Sequence, residues 1–142
     1  MKTSARNHFS GKIVSIEVGA VNDEIVLKAD DGLEVVAVIT CASTASLGLQ
    51  VGTPAFALVK ASSIIVMVDV TSAQVSARNA FAGTVLAVTK GAVNSEVIIG
   101  VSGGAQLAAT ITNQSVDRLA LAEGKTATAI FKASSVIVGV VD

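Results

Sequence analysis

Two short polar segments hold most of the donor chemistry that recurs in this chain. Ser4-Ala5-Arg6-Asn7 returns as Ser76-Ala77-Arg78-Asn79, and Lys60-Ala61-Ser62-Ser63 returns as Lys132-Ala133-Ser134-Ser135. The first segment supplies a hydroxyl, a guanidinium and an amide. The second supplies an ammonium and two hydroxyls, and the small alanines leave nearby backbone N–H groups accessible. Nearly everything on offer donates a hydrogen bond, which is what an anion requires, since bonds with a charged partner contribute about 1.5–3 kcal/mol each. Thr40 and Thr112 add a recurring hydroxyl. A structural reading stands beside this one: the first segment could cap or pair an edge, with Arg6 bridging Glu24 on the surface, and the Ser-Ser pair could simply turn the chain.

The spacing between copies, 4 to 76, is 72 residues and holds without a gap to the C-terminus. It pairs Phe9 with Phe81, Gly11 with Gly83, and Gly19-Ala20-Val21-Asn22 with Gly91-Ala92-Val93-Asn94. An internal period of this length overrides the single-domain expectation from chain length. Two domains are expected, residues 1–70 and 71–142. Comparing the copies separates retained charge from drifting charge. Lys2, Lys12, Lys28, Lys90, Arg118 and Lys125 all face uncharged counterparts, whereas Arg6/Arg78, Lys60/Lys132 and Glu24/Glu96 persist. The retained cations therefore lie inside the two retained polar motifs.

Composition narrows the function further. Charged residues make up 15% of the chain, Trp and Tyr are absent, and the net charge is −1. Aliphatic content is too high for a lone small fold, which points the surplus at subunit interfaces. The longest apolar runs, Ile64 to Val68 and Val136 to Val141, are strand-length and far short of the roughly 20 residues that span a bilayer. The N-terminal stretch has no signal-like apolar region, so a cytoplasmic protein with no membrane partner is expected. The single cysteine, Cys41, faces Asn113 and the single histidine, His8, faces Ala80. No repeated metal-ligand side chains and no nucleophile beside a base recur, so no enzyme and no organic cofactor are expected.

The elements that must position the motifs can be read in order. Phe9 to Val18 is strand-like and rich in β-branched residues, and Gly19 to Asp23 is a turn. Glu24 to Ala29 forms a second strand, Asp30-Asp31-Gly32 a hairpin turn, and Leu33 to Ile39 a third strand. Thr40 to Leu47 reads as a short helix with Ser/Thr capping candidates and Gly48 as its left-handed C-cap. Ala55 to Lys60 and Ile64 to Val68 complete the unit. The order β-β-β-α-β-β is that of the OB fold, so the fold class is all-β, two tandem five-stranded OB-like barrels each with one helix between strands three and four.

With the doubled SARN segments ahead of strand one and Lys-Ala-Ser at the end of strand four, both halves of the chain resemble the molbindin, or Mop, family of molybdate-binding domains. That resemblance implies barrels assembled into a six-barrel ring, here a homotrimer of two-barrel chains, with oxyanion sites between barrels. By position the implied site residues are Ser4, Ala5, Arg6, Thr40, Lys60, Ala61 and Ser62 in the first copy. In the second they are Ser76, Ala77, Arg78, Thr112, Lys132, Ala133 and Ser134. Asn7 and Asn79 match the motif and are candidates for ordering the backbone. A second class of family sites uses turn residues, for which Gly19, Ala20, Val21 and Asn22, with Gly91, Ala92, Val93 and Asn94, are the candidates.

The resemblance implies storage or buffering of molybdate, with tungstate as a second ligand, in molybdenum homeostasis. Molybdate is a tetrahedral dianion that can be held through its outer oxygens by hydrogen bonds, so no direct metal ligand is required. The low net charge places the attraction in local sites rather than in long-range steering. A related tandem serves a molybdate-responsive repressor, but no segment here is expected to hold a DNA-binding helix-turn-helix. The rival readings are a single-stranded nucleic-acid OB module and a purely structural oligomer. The first wants a basic groove interleaved with aromatics, against four Phe and a negative net charge.

Overall fold

A computed structural model describes residues 2–141. The described residues form ten strands: β1 Asn7–Glu17, β2 Asn22–Ala29, β3 Glu34–Thr40, β4 Pro54–Val59, β5 Ile65–Met67, β6 Asn79–Lys90, β7 Asn94–Val101, β8 Gln106–Thr112, β9 Thr126–Phe131 and β10 Ile137–Gly139. Two short helices, α1 Cys41–Ser46 and α2 Asn113–Arg118, follow β3 and β8. Lys-Ala-Ser-Ser makes a 3-10 turn in each repeat, Ala61–Ser63 and Ala133–Ser135. The result is all-β, two curled five-stranded antiparallel sheets with one short helix after the third strand of each. No helix among the described residues is long and apolar enough to cross a membrane.

The two compact units do not follow the two sequence repeats. One unit comprises residues 1–59 with 132–142, and the other comprises residues 60–131. In the first, the sheet order is β10-β4-β1-β2-β3, and in the second it is β5-β9-β6-β7-β8. Each repeat thus hands its last strand to the sheet built by the other. Val138 pairs with Ala57 in the first unit, and Val66 pairs with Ala129 in the second. The exchange leaves the internal pattern unchanged, because Val66 and Val138 are buried while Ile65 and Ile137 remain exposed. The expectation that residues 64–68 complete the sheet of their own repeat is corrected accordingly.

In the first unit, alternate residues of β2 and β4 point inward, so Ile25, Leu27, Ala57 and Val59 meet Phe9, Ile13 and Val35 in one core. The second unit repeats the arrangement with Val85, Val97, Ile99, Leu107, Ala129 and Phe131. Strands β1 and β6 bend where their register shifts, between Ile13 and Ser15 and between Val85 and Ala87. Just before each bend the retained glycine is obligatory on space alone. A Cβ on Gly11 would run into the Lys28 carbonyl oxygen, and one on Gly83 into that of Gly100.

The helices start as expected, since Thr40 and Thr112 are N-caps whose side chains accept from the Ser43 and Ser115 N–H groups, each at 3.1 Å. They end differently. Gly48 sits in the left-handed region at φ 63, whereas its counterpart Ala120 holds φ 53 with a Cβ. That conformation costs an L-residue about 1–2 kcal/mol, partly offset by the extra chain entropy a glycine loses on folding. Ala120→Gly is expected to stabilise the second unit by roughly 0.5–1 kcal/mol, read as a rise in its thermal midpoint, while Gly48→Ala lowers that of the first.

Candidate functional site

The recurring asparagines of the SARN segments are buried. Asn7 is 2% exposed and Asn79 is fully enclosed. The Asn7 side-chain amide donates to the Val59 carbonyl at 3.2 Å, tying the first residue of β1 to the last residue of β4. Asn79 stands opposite Phe131 in the register of β6 and β9. Val59 and Phe131 immediately precede Lys60 and Lys132, so each SARN segment enters the sheet where its own repeat's KASS segment leaves it. Asn7 thus ties the start of β1 to the end of β4. Ser4, Arg6, Ser76, Arg78, Lys60, Lys132, Ser62 and Ser134 are exposed, while Ala61 and Ala133 are buried beneath the turn.

Strand exchange decides what the KASS turns meet. Ala61–Ser63 packs against β8 within residues 60–131, and Ala133–Ser135 packs against β3 within the other unit. A pocket of about 360 Å³ results in the second unit, with Ser62, Thr110, Thr112, Ser115 and Arg118 as its polar lining over Ile64, Ile111 and Leu119. The sequence leaves open whether the donor segments meet within one repeat or across; here Ser62 lines a pocket with Thr112 of the other repeat. Arg78, Ser76 and Lys60 do not line this pocket.

Thr112 has a role of its own besides facing the pocket. Its hydroxyl accepts from the Ser115 N–H and donates to Ser115 Oγ at 2.9 Å, as Thr40 does to Ser43 Oγ at 2.8 Å. Helix capping thus accounts for the recurrence of the threonines without a ligand. Ser115 was missed by sequence reasoning, although it recurs as Ser43 at the same 72-residue spacing and that recurrence was the available signal. Arg118 was set aside because it faces Ser46.

The Gly-Ala-Val-Asn turns are held from within. In the first repeat the Gly19 N–H donates to Asp23 Oδ1 at 3.2 Å, and the Cys41 thiol donates to the same carboxylate oxygen at 3.1 Å. In the second, Ser95 and Asn113 occupy these positions: Ser95 Oγ donates to Asn113 Oδ1, and Asn113 Nδ2 donates to the Gly91 carbonyl at 2.9 Å. Both residues differ between the repeats, and a turn-to-helix tie is present in each. The tie uses Gly19, Gly91, Val21 and Val93 backbone groups. Val21 and Val93 project outward, 72% and 71% exposed, with Ala20, Ala92, Asn22 and Asn94 also on the surface.

Asp23 is held below its ordinary value of 3.8, chiefly by the Thr44 hydroxyl and then by the Cys41 thiol, against an opposing effect of burial. Its contribution to stability is present above that ordinary value and is lost as pH falls through the lower folded one. Cys41 moves the other way: the hydrogen bond to Asp23, then burial and the carboxylate charge, push the thiol above its ordinary 9.0. Its share is complete below that value and disappears as pH rises through the higher folded one. Because the thiolate is the nucleophile, Cys41 should alkylate with iodoacetamide at pH 8 more slowly than an exposed cysteine. Asp23→Ser, which installs the residue of the second repeat, should accelerate it, and mass spectrometry of timed samples reads both rates. Among the described residues, no cluster of three or more His, Cys, Asp or Glu side chains could hold a metal ion.

Comparison with known proteins places these features in context. The TOBE domain matches residues 3–66 and again 75–138. The chain is 44% identical over 140 residues to the molybdenum transport protein ModE of Herbaspirillum seropedicae, covering 99% of this chain and 52% of that protein. It is 42% identical over 137 residues to the molybdenum-pterin-binding protein MopA of Rhodobacter capsulatus, covering 96% of this chain and 52% of that one. The chain thus spans about half the length of these relatives. Among solved structures, the cytoplasmic molybdate-binding protein ModG with molybdate bound superimposes with a TM-score of 0.93 at 40% identity, over 99% of this chain and 100% of that one.

Proposed function

This chain belongs to the TOBE-domain family and carries the domain twice in its molbindin (Mop) form, and on that premise we propose that it binds molybdate as a cytoplasmic store or buffer. Tungstate, of the same tetrahedral shape and charge, is the second ligand. The oxyanion is held by hydrogen bonds at contacts between barrels of a homotrimer. The donors are Ser4, Ala5, Arg6, Lys60, Ala61 and Ser62 with their counterparts Ser76, Ala77, Arg78, Lys132, Ala133 and Ser134, together with Thr40 and Thr112. The Gly19 to Asn22 and Gly91 to Asn94 turns are assigned to a second class of sites near the symmetry axis. No reaction is assigned to the chain.

The observation that carries this reading is the joint recurrence of both donor segments with their cations, side by side at one end of a strand pair, while six other cations drifted. Hydroxyl, guanidinium and ammonium donors to an anion are about twice as strong as neutral pairs. The surface also carries Val14, Val18, Ile65, Leu86 and Ile137 at 41–77% exposure, apolar area suited to subunit contacts.

Equilibrium dialysis against molybdate, tungstate, sulfate and phosphate, read by elemental analysis, tests the proposal. Uptake of molybdate and tungstate at micromolar concentration, with sulfate and phosphate excluded, is the expected result. A chain that takes up none of the four is a structural oligomer. Light scattering on the same samples reads the trimer.

A further inference from the structure

The residues around the two KASS turns are unequal. At the pocket of residues 60–131, the polar lining is Ser62, Thr110, Thr112, Ser115 and Arg118. Their counterparts, 72 residues away, are Ser134, Val38, Thr40, Ser43 and Ser46. Three hydroxyls are shared, but the first unit has a valine for the fourth and a serine for the guanidinium. Ser46 is already engaged, donating to the Ser43 carbonyl at 3.2 Å. Arg118 stands exposed in the last turn of α2, and its guanidinium has no hydrogen-bond or ion-pair partner among the described residues.

We propose that Arg118 makes the pocket of the second unit hold an oxyanion more strongly than the corresponding residues of the first unit do, by adding a guanidinium to a hydroxyl-lined cleft where the first unit has the uncharged Ser46. The inference rests on the molybdate-binding reading above. A planar guanidinium offers two parallel donors to two oxygens of one tetrahedral anion, which a hydroxyl does not. The apolar floor of Ile64, Ile111 and Leu119 lowers the local dielectric and strengthens each of those bonds. A plain structural role also exists, since a cation near a helix C-terminus is favourable. That role needs only a positive charge and no ligand, so the two are separable.

Isothermal titration of the full chain with molybdate is the test, run on the wild type, Arg118→Ser, Arg118→Lys and Ser46→Arg, with thermal melting of each. The wild type should show two classes of site. Arg118→Ser should weaken the tighter class by about tenfold or more, as expected for a lost charge-assisted bond, and flatten its dependence on salt. Arg118→Lys should fall between them while melting as the wild type does, and Ser46→Arg should strengthen the weaker class. An Arg118→Ser isotherm superimposable on that of the wild type overturns the proposal while leaving molybdate binding standing. A wild type that takes up no molybdate overturns both.

Discussion

Arg6→Ala combined with Arg78→Ala should remove most tight molybdate uptake while the oligomer stays intact. Both guanidiniums are exposed on segments that enter the sheet beside the KASS turns. Losing a charged donor to a dianion costs about 1.5–3 kcal/mol per site, so affinity should fall by roughly tenfold to a hundredfold at each site. Each single variant should lose one class of site and keep the other, which distinguishes two independent sites from one shared one. Lys28→Ala serves as the control, because Lys28 lies on β2 away from both motifs and its counterpart is Gly100. Both arginines also interact within the protein, so melting and light scattering must accompany the dialysis. Unchanged uptake in the double variant would remove SARN from the site and leave the KASS pocket and the Gly-Ala-Val-Asn turns as the candidates.

Local chemistry was legible in the sequence wherever a single stretch of chain decided the outcome. The Asp30-Asp31-Gly32 turn is closed by a Gly32 N–H donating to the Ala29 carbonyl at 2.9 Å, with Gly32 at φ 93. Thr40 caps the helix and Gly48 ends it, as the residue types require. Partner choice was not legible. Ile65–Met67 and Ile137–Gly139 share one pattern of exposure and one flanking motif, so nothing in the residues says which repeat's β4-type strand each will join. The KASS grouping inherits that ambiguity, and only the fold shows that Ser62 lines a pocket with Thr112.

Recurrence between the copies was an effective filter for shared function and a blind one for asymmetry. It singled out Arg6, Arg78, Lys60 and Lys132, and it discarded Arg118 because Ser46 stands opposite. It also could not separate a threonine retained for a cap from one retained for a ligand. The Asp23–Cys41 and Ser95–Asn113 pairs show a further limit: positions that look divergent residue by residue preserve one hydrogen-bond link.

Strand exchange makes the fate of a shortened chain a sharp test of the fold. A chain ending at Phe131 retains all of residues 60–131, including β5, but deprives the first unit of its 3-10 turn and β10. Val136 and Val138, 3% and 8% exposed, would be lost from the core at about 1.5–3 kcal/mol each. The backbone bonds from β10 to β4 go with them, at about 0.5–1.5 kcal/mol apiece. Domains of ordinary size are stable by only about 5–15 kcal/mol, and small ones lie toward the bottom of that range. The first unit is therefore expected to unfold while the second persists, with limited proteolysis digesting residues 1–59 and sparing 60–131. Were each repeat instead closed by its own fifth strand, the same truncation would damage the second unit and spare the first. The pattern of protected fragments thus reports directly which sheet the last strand completes, and with it which threonine faces which KASS turn.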